Sequence, residues 1–440
     1  MLPSRVLIVT FSYWPTLNAR AFRWTALAER WASQGARVEV VSAWSPGLAR
    51  HEVVNGVVIR RPGSRAVETL RNWLTNRRQA AVNFESTSSG YEFKLRQRLL
   101  WGLSHLNDQI WRKVFWPDSS CPWYFSALRE ARRAAQSLRP DVLISVSPTF
   151  TAVAVARRLI GELHSTARWL IDLGDPFCFC EEAPQNNFRL YRRLNRVFER
   201  ACFRRATAVS VTTAATRARY AELFPESVAK MHVIAPLLSL PDLPVPESPK
   251  SNSARTIVYV GTLYGSIRRP DFLLALFAQL QRAMTQESLE LHVYGDVRDC
   301  ASCFEPFLQE KVPSVFLHGT VARSQALQAM ANASVLVNLG NDTAYQLPSK
   351  ILEYLAVGRP ILNIATHSQD SSTAFLADYP LAVSLQASQA GPTATDVAKV
   401  AQLLRRRPEP GDRSIAEPWL APSRINAIAE QYERALGLAA

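Results

Sequence analysis

The chain has 440 residues, 48% hydrophobic and 20% charged, a globular composition in a length that calls for two domains of ordinary size. Its net charge of +14 is lopsided: residues 1–250 carry 35 Lys and Arg against 20 Asp and Glu, and residues 251–440 carry 16 against 17. A disordered chain is excluded, and no run of about 18 uncharged apolar residues offers a membrane span.

Met1 to Thr10 leads into a strand with Arg5 inside it and lacks a signal-peptide pattern, so a cytoplasmic location is expected. The six cysteines form no disulfide framework. Cys300-x-x-Cys303 has no second pair at zinc-finger spacing, so no metal site is expected. Strand Val6–Val9, a helix from Ala19 to Gln34 stopped by Gly35, and strand Arg37–Val41 make a βαβ unit, hence a parallel sheet. No G-x-G-x-x-G follows the first strand, which argues against a dinucleotide cofactor there.

From about Arg60 to Asp118, arginines and lysines alternate with Trp, Phe and Tyr. This is the composition of a helical insertion (about 60–140) that lies on an anionic membrane surface. No DNA- or RNA-binding signature accompanies the charge, so nucleic acid is not expected. A helix near Phe125–Leu138, strand Val142–Val146 and the cap Ser147-Pro148-Thr149 continue the pattern. Strand Trp169–Ile171 then opens into Asp172-Leu173-Gly174-Asp175-Pro176-Phe177. Two carboxylates three apart at the carboxyl end of a parallel strand stand where open α/β sheets place ligands. Asp172 or Asp175 could take the proton of an acceptor hydroxyl or hold the acceptor. An arginine-rich helix (Arg189 to Arg205) and strand Ala208–Val211 complete a first domain, expected at 1–240.

Five prolines between Pro236 and Pro249 mark the linker, expected at 241–254. The second domain, 255–415, repeats the rhythm. Strand Thr256–Val260 ends in Gly261-Thr262 and leads to Arg268-Arg269-Pro270 at a helix start, an arrangement suited to an anion. Further strands follow at Leu289–Tyr294, Val315–Leu317 and Val335–Leu339. Then comes Leu347-Pro348-Ser349-Lys350-Ile351-Leu352-Glu353-Tyr354-Leu355-Ala356-Val357-Gly358-Arg359-Pro360. It predicts a short helix with Pro348 at its first position and Gly358 as its left-handed stop. Lys350 lies in the first turn, where the helix dipole alone favours an acid, which points to an anionic ligand. Glu353 lies on the same face, one turn on, placed for hydroxyl groups. Together they present the chemistry of a nucleoside diphosphate. Residues 416–440 end in a helix, Pro422 to Leu436.

The Pro348-to-Leu362 stretch resembles the donor-site helix of retaining sugar-nucleotide glycosyltransferases (GT-B fold, glycosyltransferase family 4-like, P-S-K…E subgroup), and Asp172–Phe177 resembles their D-x-x-D-P-aromatic segment. The family's Glu-x7-Glu pair keeps its second member, Glu353, while Tyr345 stands at the first. The resemblance implies two Rossmann-like domains facing across a cleft, with a C-terminal helix packing back on the first. It implies transfer of a sugar, with retention and without a cofactor, from a nucleotide sugar to a glycan or lipid-linked acceptor in cell-surface polysaccharide or lipopolysaccharide synthesis, at the inner face of the membrane. Lys350 and Arg268 would meet the diphosphate and Ser349 and Glu353 the rest of the donor. Gly295 and Gly319 would lie by the base, and Tyr13, Arg20 and Arg23 would face the acceptor. Two other activities stay open: a sugar-nucleotide epimerase or hydrolase on the same plan, and a non-catalytic binding protein for lipid or nucleic acid.

Overall fold

The computed structural model describes residues 3–16, 18–64, 114–164, 166–181, 184–238, 254–265, 268–309, 314–341, 343–406, 409 and 411–438. Most of the expected basic insertion (65–113) and the linker positions 241–253 lie outside the described residues. The chain divides into two compact units, Met1–Ala235 with Ile428–Ala440, and Pro236–Ala427.

The first unit runs β1 (Arg5–Thr10), α1 (Ala19–Ser33), β2 (Arg37–Val41), β3 (His51–Val54), β4 (Val57–Arg60), α2 (Tyr124–Leu138), β5 (Val142–Val146), α3 (Phe150–Leu159), β6 (Arg168–Asp172), α4 (Phe188–Arg205), β7 (Ala208–Val211), α5 (Ala214–Leu223) and β8 (Met231–Val233). The strands form one sheet in the order β3-β4-β2-β1-β5-β6-β7-β8. All pairs are parallel except the β3–β4 hairpin. Val6 to Thr10 and Val142 to Val146 are buried throughout, as strands covered on both faces must be. The Asn18 side chain starts α1 by accepting from the Ala21 amide at 2.8 Å. The hairpin is missing from the expected elements, although its Asn55-Gly56 turn (φ 48° and 80°) carries the sequence signal for one.

The second unit runs β9 (Arg255–Val260), α6 (Asp271–Ala283), β10 (Leu289–Tyr294), β11 (Val315–Gly319), α7 (Arg323–Asn332), β12 (Val335–Leu339), α8 (Lys350–Val357), β13 (Ile361–Ala365), α9 (Ser371–Leu376), β14 (Ala382–Gln386) and α10 (Ala394–Arg405). Its parallel sheet has the order β11-β10-β9-β12-β13-β14, the doubly wound Rossmann arrangement. Helices α6 and α10 cover one face; α7 and α8 cover the other. A final helix, α11 (Ile425–Ala435), has its residues from Ile428 onward in the first unit.

The chain thus forms the two Rossmann-like units expected of it. In each, the strand order reverses once, between β1 and β5 and between β9 and β12. Ligands of open α/β sheets bind outside the carboxyl ends of the strands at such points.

Candidate active site

In the second unit the reversal point is bordered by Gly261 at the end of β9 and by the loop after β12. Arg268 spans it. Its Nη1 donates to the Thr262 carbonyl at 3.4 Å and its Nη2 to Asn341 Oδ1, while its buried Nε has no hydrogen-bond partner. Asn341 is itself buried and donates to Gln346 Oε1 at 2.9 Å, so the arginine's partner is itself held in place.

Helix α8 begins beside this loop at Lys350, two positions later than expected, with Pro348 ahead of the first turn. No side chain caps its start, and Ser349 makes no capping bond. The far end is as expected: Gly358 adopts φ 74°, and a Cβ there would sit 2.6 Å from Arg413 Cγ. The buried Tyr354 hydroxyl accepts from the Val260 amide at 3.2 Å and so fixes α8 against the end of β9.

Lys350 has no salt bridge among the described residues. Burial pushes its ammonium below the usual lysine range; Glu353 opposes this, and the charges of Arg268 and Arg323 add to it. Glu353 does not stand open for a ligand's hydroxyls, because Arg323 Nη2 donates to its Oε1 at 2.9 Å. Arg323, at the start of α7, is the residue that sequence reasoning missed. Nothing local announces it, since it lies 30 residues from Glu353. Among the described residues, the charges of Arg268, Arg323 and Glu353 therefore all act on Lys350.

Gly261, Gly295 and Gly319 end three adjacent strands and tie them together. The Gly261 amide donates to the Tyr294 carbonyl at 2.8 Å and the Gly295 amide to the Gly319 carbonyl at 2.7 Å. Gly295 adopts φ 133°, and a Cβ on it would lie 2.1 Å from the Gly261 carbonyl oxygen. No other residue fits there. Beside them the rings of Tyr294 and His318 stack at 4.1 Å.

In the first unit, the two carboxylates of the Asp172–Phe177 loop separate sharply. Asp172 is buried and fully engaged. Its Oδ2 accepts from Arg20 Nη1 at 2.7 Å and Trp24 Nε1 at 2.8 Å; its Oδ1 accepts from Ser210 Oγ at 2.6 Å and the Tyr432 hydroxyl at 2.8 Å. Burial alone would raise its pKa, but Arg20 and Arg23, with the Ser210 and Trp24 hydrogen bonds, hold it below the usual carboxylate range. A carboxylate so occupied cannot accept a proton at neutral pH, which removes Asp172 as a general base.

Asp175 is half-exposed at the loop's tip, and its charge acts on Arg20. The residues around it are fixed. Gly174 lets Arg20 pass, since a Cβ would meet Arg20 Nε at 2.8 Å. Phe177 stacks on Phe150 at 3.9 Å, and the Cys178 amide donates to Glu199 Oε2 at 3.1 Å.

The expected acceptor-facing residues turn inward. Arg20 is committed to Asp172, the Leu173 carbonyl and Thr212; Arg23 donates to the Tyr432 hydroxyl at 2.8 Å and the Ala235 carbonyl at 2.6 Å. Tyr13 is only 3% exposed. Their partners are up to 409 residues away in sequence, out of reach of any local pattern.

Among the described residues, no group of three or more His, Cys, Asp and Glu could hold a metal ion. No described helix is long and apolar enough to cross a membrane.

Residues 21–236 match the family model described as a glycosyl transferase 4-like domain, and residues 254–379 match that of glycosyl transferases group 1. Several solved structures are similar in fold. The apo form of the lipopolysaccharide outer core galactosyltransferase WaaB has 12% identity and a TM-score of 0.56, over 98% of this chain and 99% of that one. WaaG, a glycosyltransferase involved in lipopolysaccharide biosynthesis, has 14% identity and a TM-score of 0.52, over 99% of each chain. The catalytic domain of starch synthase IV from Arabidopsis thaliana, bound to ADP and acarbose, has 10% identity and a TM-score of 0.59, over 99% of each chain. No curated protein matches the sequence.

Proposed function

Since the chain belongs to the two-domain GT-B glycosyltransferases, we propose that its second unit binds a nucleoside diphosphate sugar through the cations around α8 and that the sugar passes to a glycan or lipid-linked acceptor. One observation carries the reading. The charges of Arg268 and Arg323 both bear on the partly buried Lys350, whose acidic neighbour among the described residues, Glu353, is already paired with Arg323. Such an excess is unfavourable until an anion with several negative oxygens enters, and the site then repays its electrostatic strain. A leaving diphosphate gains most, because its charge grows as the glycosidic bond breaks.

Lys350 and Arg268 would stabilise that charge. Asp175, rather than Asp172, would meet the acceptor, as the half-exposed carboxylate of a loop whose neighbouring residues are held in place. The engaged Glu353 would act through Arg323, or reach donor hydroxyls once the diphosphate draws Arg323 away. The reaction would retain the anomeric configuration and need no metal, the phosphates being met by side-chain cations. The setting would be cell-surface polysaccharide or lipopolysaccharide synthesis, with the protein peripheral on the inner face of the membrane; the excess positive charge of the first half supports a membrane-linked acceptor.

The test is thermal stabilisation by UDP, GDP and dTDP. A nucleotide at 100 times its dissociation constant adds roughly 2.7 kcal/mol, or about 2 °C or more. One nucleotide should stabilise the protein, and Lys350→Ala should remove the effect. If no nucleotide acts, the donor-site reading falls.

A further inference from the structure

Helix α4 (Phe188–Arg205) buries Asn195, Glu199, Cys202 and Phe203 against the first unit. Its other face is unusual for a soluble protein. Leu190 is 66% exposed, Leu194 45% and Val197 67%, and they recur at the four- and three-residue steps of one helical stripe. Val114, 61% exposed, adjoins the stripe, since its carbonyl accepts from the Tyr191 hydroxyl at 2.7 Å.

A second row runs alongside the first, one residue earlier at each step: Arg189, Arg193 and Arg196. These, with Arg192, have no ion pair among the described residues, whereas Arg200 and Arg204 are drawn to Glu226 at 2.5 and 3.3 Å. The helix contains one acid, Glu199, and it faces inward. Among the described residues, the outer face of α4 therefore offers an apolar row beside a row of unpaired cations and no negative charge.

We infer that α4 docks the first unit on an anionic lipid surface, with Leu190, Leu194 and Val197 at the acyl boundary and the arginine row among the head-group phosphates. An apolar stripe flanked by arginines on a helix held parallel to the surface is what interfacial binding requires. Charge selects this occupant over the others. A second copy docking through α4 would bring two identical arginine rows together, which like-charge repulsion opposes. A nucleic acid would match the cations but leave the leucines and valine without a partner. The inference assigns the membrane contact proposed above to a particular element, and it does not depend on the donor chemistry.

The experiment is co-sedimentation of the full chain with vesicles of phosphatidylcholine alone and with about one-third phosphatidylglycerol. The protein should bind the second kind only, and less at high salt. A Leu190→Ser/Leu194→Ser/Val197→Ser variant and an Arg189→Gln/Arg192→Gln/Arg193→Gln/Arg196→Gln variant should each weaken binding about tenfold or more. Both sets lie on the exposed face, and unchanged circular dichroism and melting would show that the fold is intact. The inference is overturned if the unaltered protein binds neither vesicle or both equally, or if the serine variant binds as well as the parent. It is also overturned if sedimentation equilibrium shows a dimer that the serine substitutions dissociate. Vesicle binding without any nucleotide response would leave α4 docking in place and remove only the donor-site reading.

Discussion

Asp172 sits among Arg20, Trp24, Ser210 and Tyr432, with Arg23 Nη1 3.7 Å away. Asp172→Asn would leave two buried guanidinium groups without their counter-ion and should cost about 3–5 kcal/mol, read as a lower denaturant midpoint. Lys350 is the opposite case, a cation whose surroundings lower its pKa. Lys350→Met should raise the stability of the ligand-free protein by about 1 kcal/mol while abolishing nucleotide-induced stabilisation. A fall in stability would mean that the lysine already has a structural partner. Glu199 is a third case. It is fully buried, accepts from the Tyr220 hydroxyl at 2.6 Å, and burial pushes it up to about 7 from the ordinary value of 4.5. The folded state therefore holds a proton that the unfolded state has lost between these two values. Stability from the neutral carboxyl is fully present below the lower value and declines as pH rises towards about 7. The total loss is of the order of 3 kcal/mol. Glu199→Gln should flatten the melting temperature between pH 5 and 8; an unchanged slope would assign the effect to another group.

At the scale of elements, α8 depends on its ends. Gly358→Ala would place a Cβ in left-handed backbone and 3.0 Å from the Arg413 backbone nitrogen, so a shift of the flexible arginine side chain cannot relieve it. A loss of about 2 kcal/mol or more is expected, measured by thermal melting; near-neutral behaviour would show that the 411–420 segment moves freely. Elements such as α8 are legible in sequence because their signals are local: Gly358 stops, Asn18 caps, and the buried strands are predominantly apolar runs. The direction of long side chains is not. Arg20, Arg23 and Tyr13 belong to a loop and helix that the sequence locates well, yet they point into the unit because Asp172, Thr212 and Tyr432 wait there. Likewise the sequence places Lys350 and Glu353 one turn apart but cannot show Arg323 closing on the glutamate. The basic and aromatic stretch expected at 60–118 lies mostly outside the described residues, and in α4 only exposure separates an outward leucine from a core leucine.

Over the whole molecule, the first unit is completed by residues from the far end of the chain. Tyr432 joins the Asp172 cluster, and Glu433 Oε1 accepts from Trp31 Nε1 at 2.9 Å. Arg168 Nη1 donates to the Leu436 carbonyl. Deleting 428–440 should lower the melting of the first unit by several kcal/mol, since it leaves buried donors and charges unpaired. The second unit should keep its own transition and its nucleotide response; calorimetry would separate the two. Equal losses in both transitions would show that the units melt as one.

The same closure sets an order of events during synthesis. When Ala235 leaves the ribosome, the eight strands of the first unit have been made, but Tyr432 is still about 200 codons away. At roughly 5–20 residues per second that is a wait of about 10–40 s. During it Arg23 and Asp172 lack one of their partners and the Trp31 indole lacks its acceptor, while Pro236–Ala427 can emerge and close by itself. The unit translated first is thus the last to be finished, and the nascent chain spends that interval with its most basic half open to whatever anionic surface lies nearby.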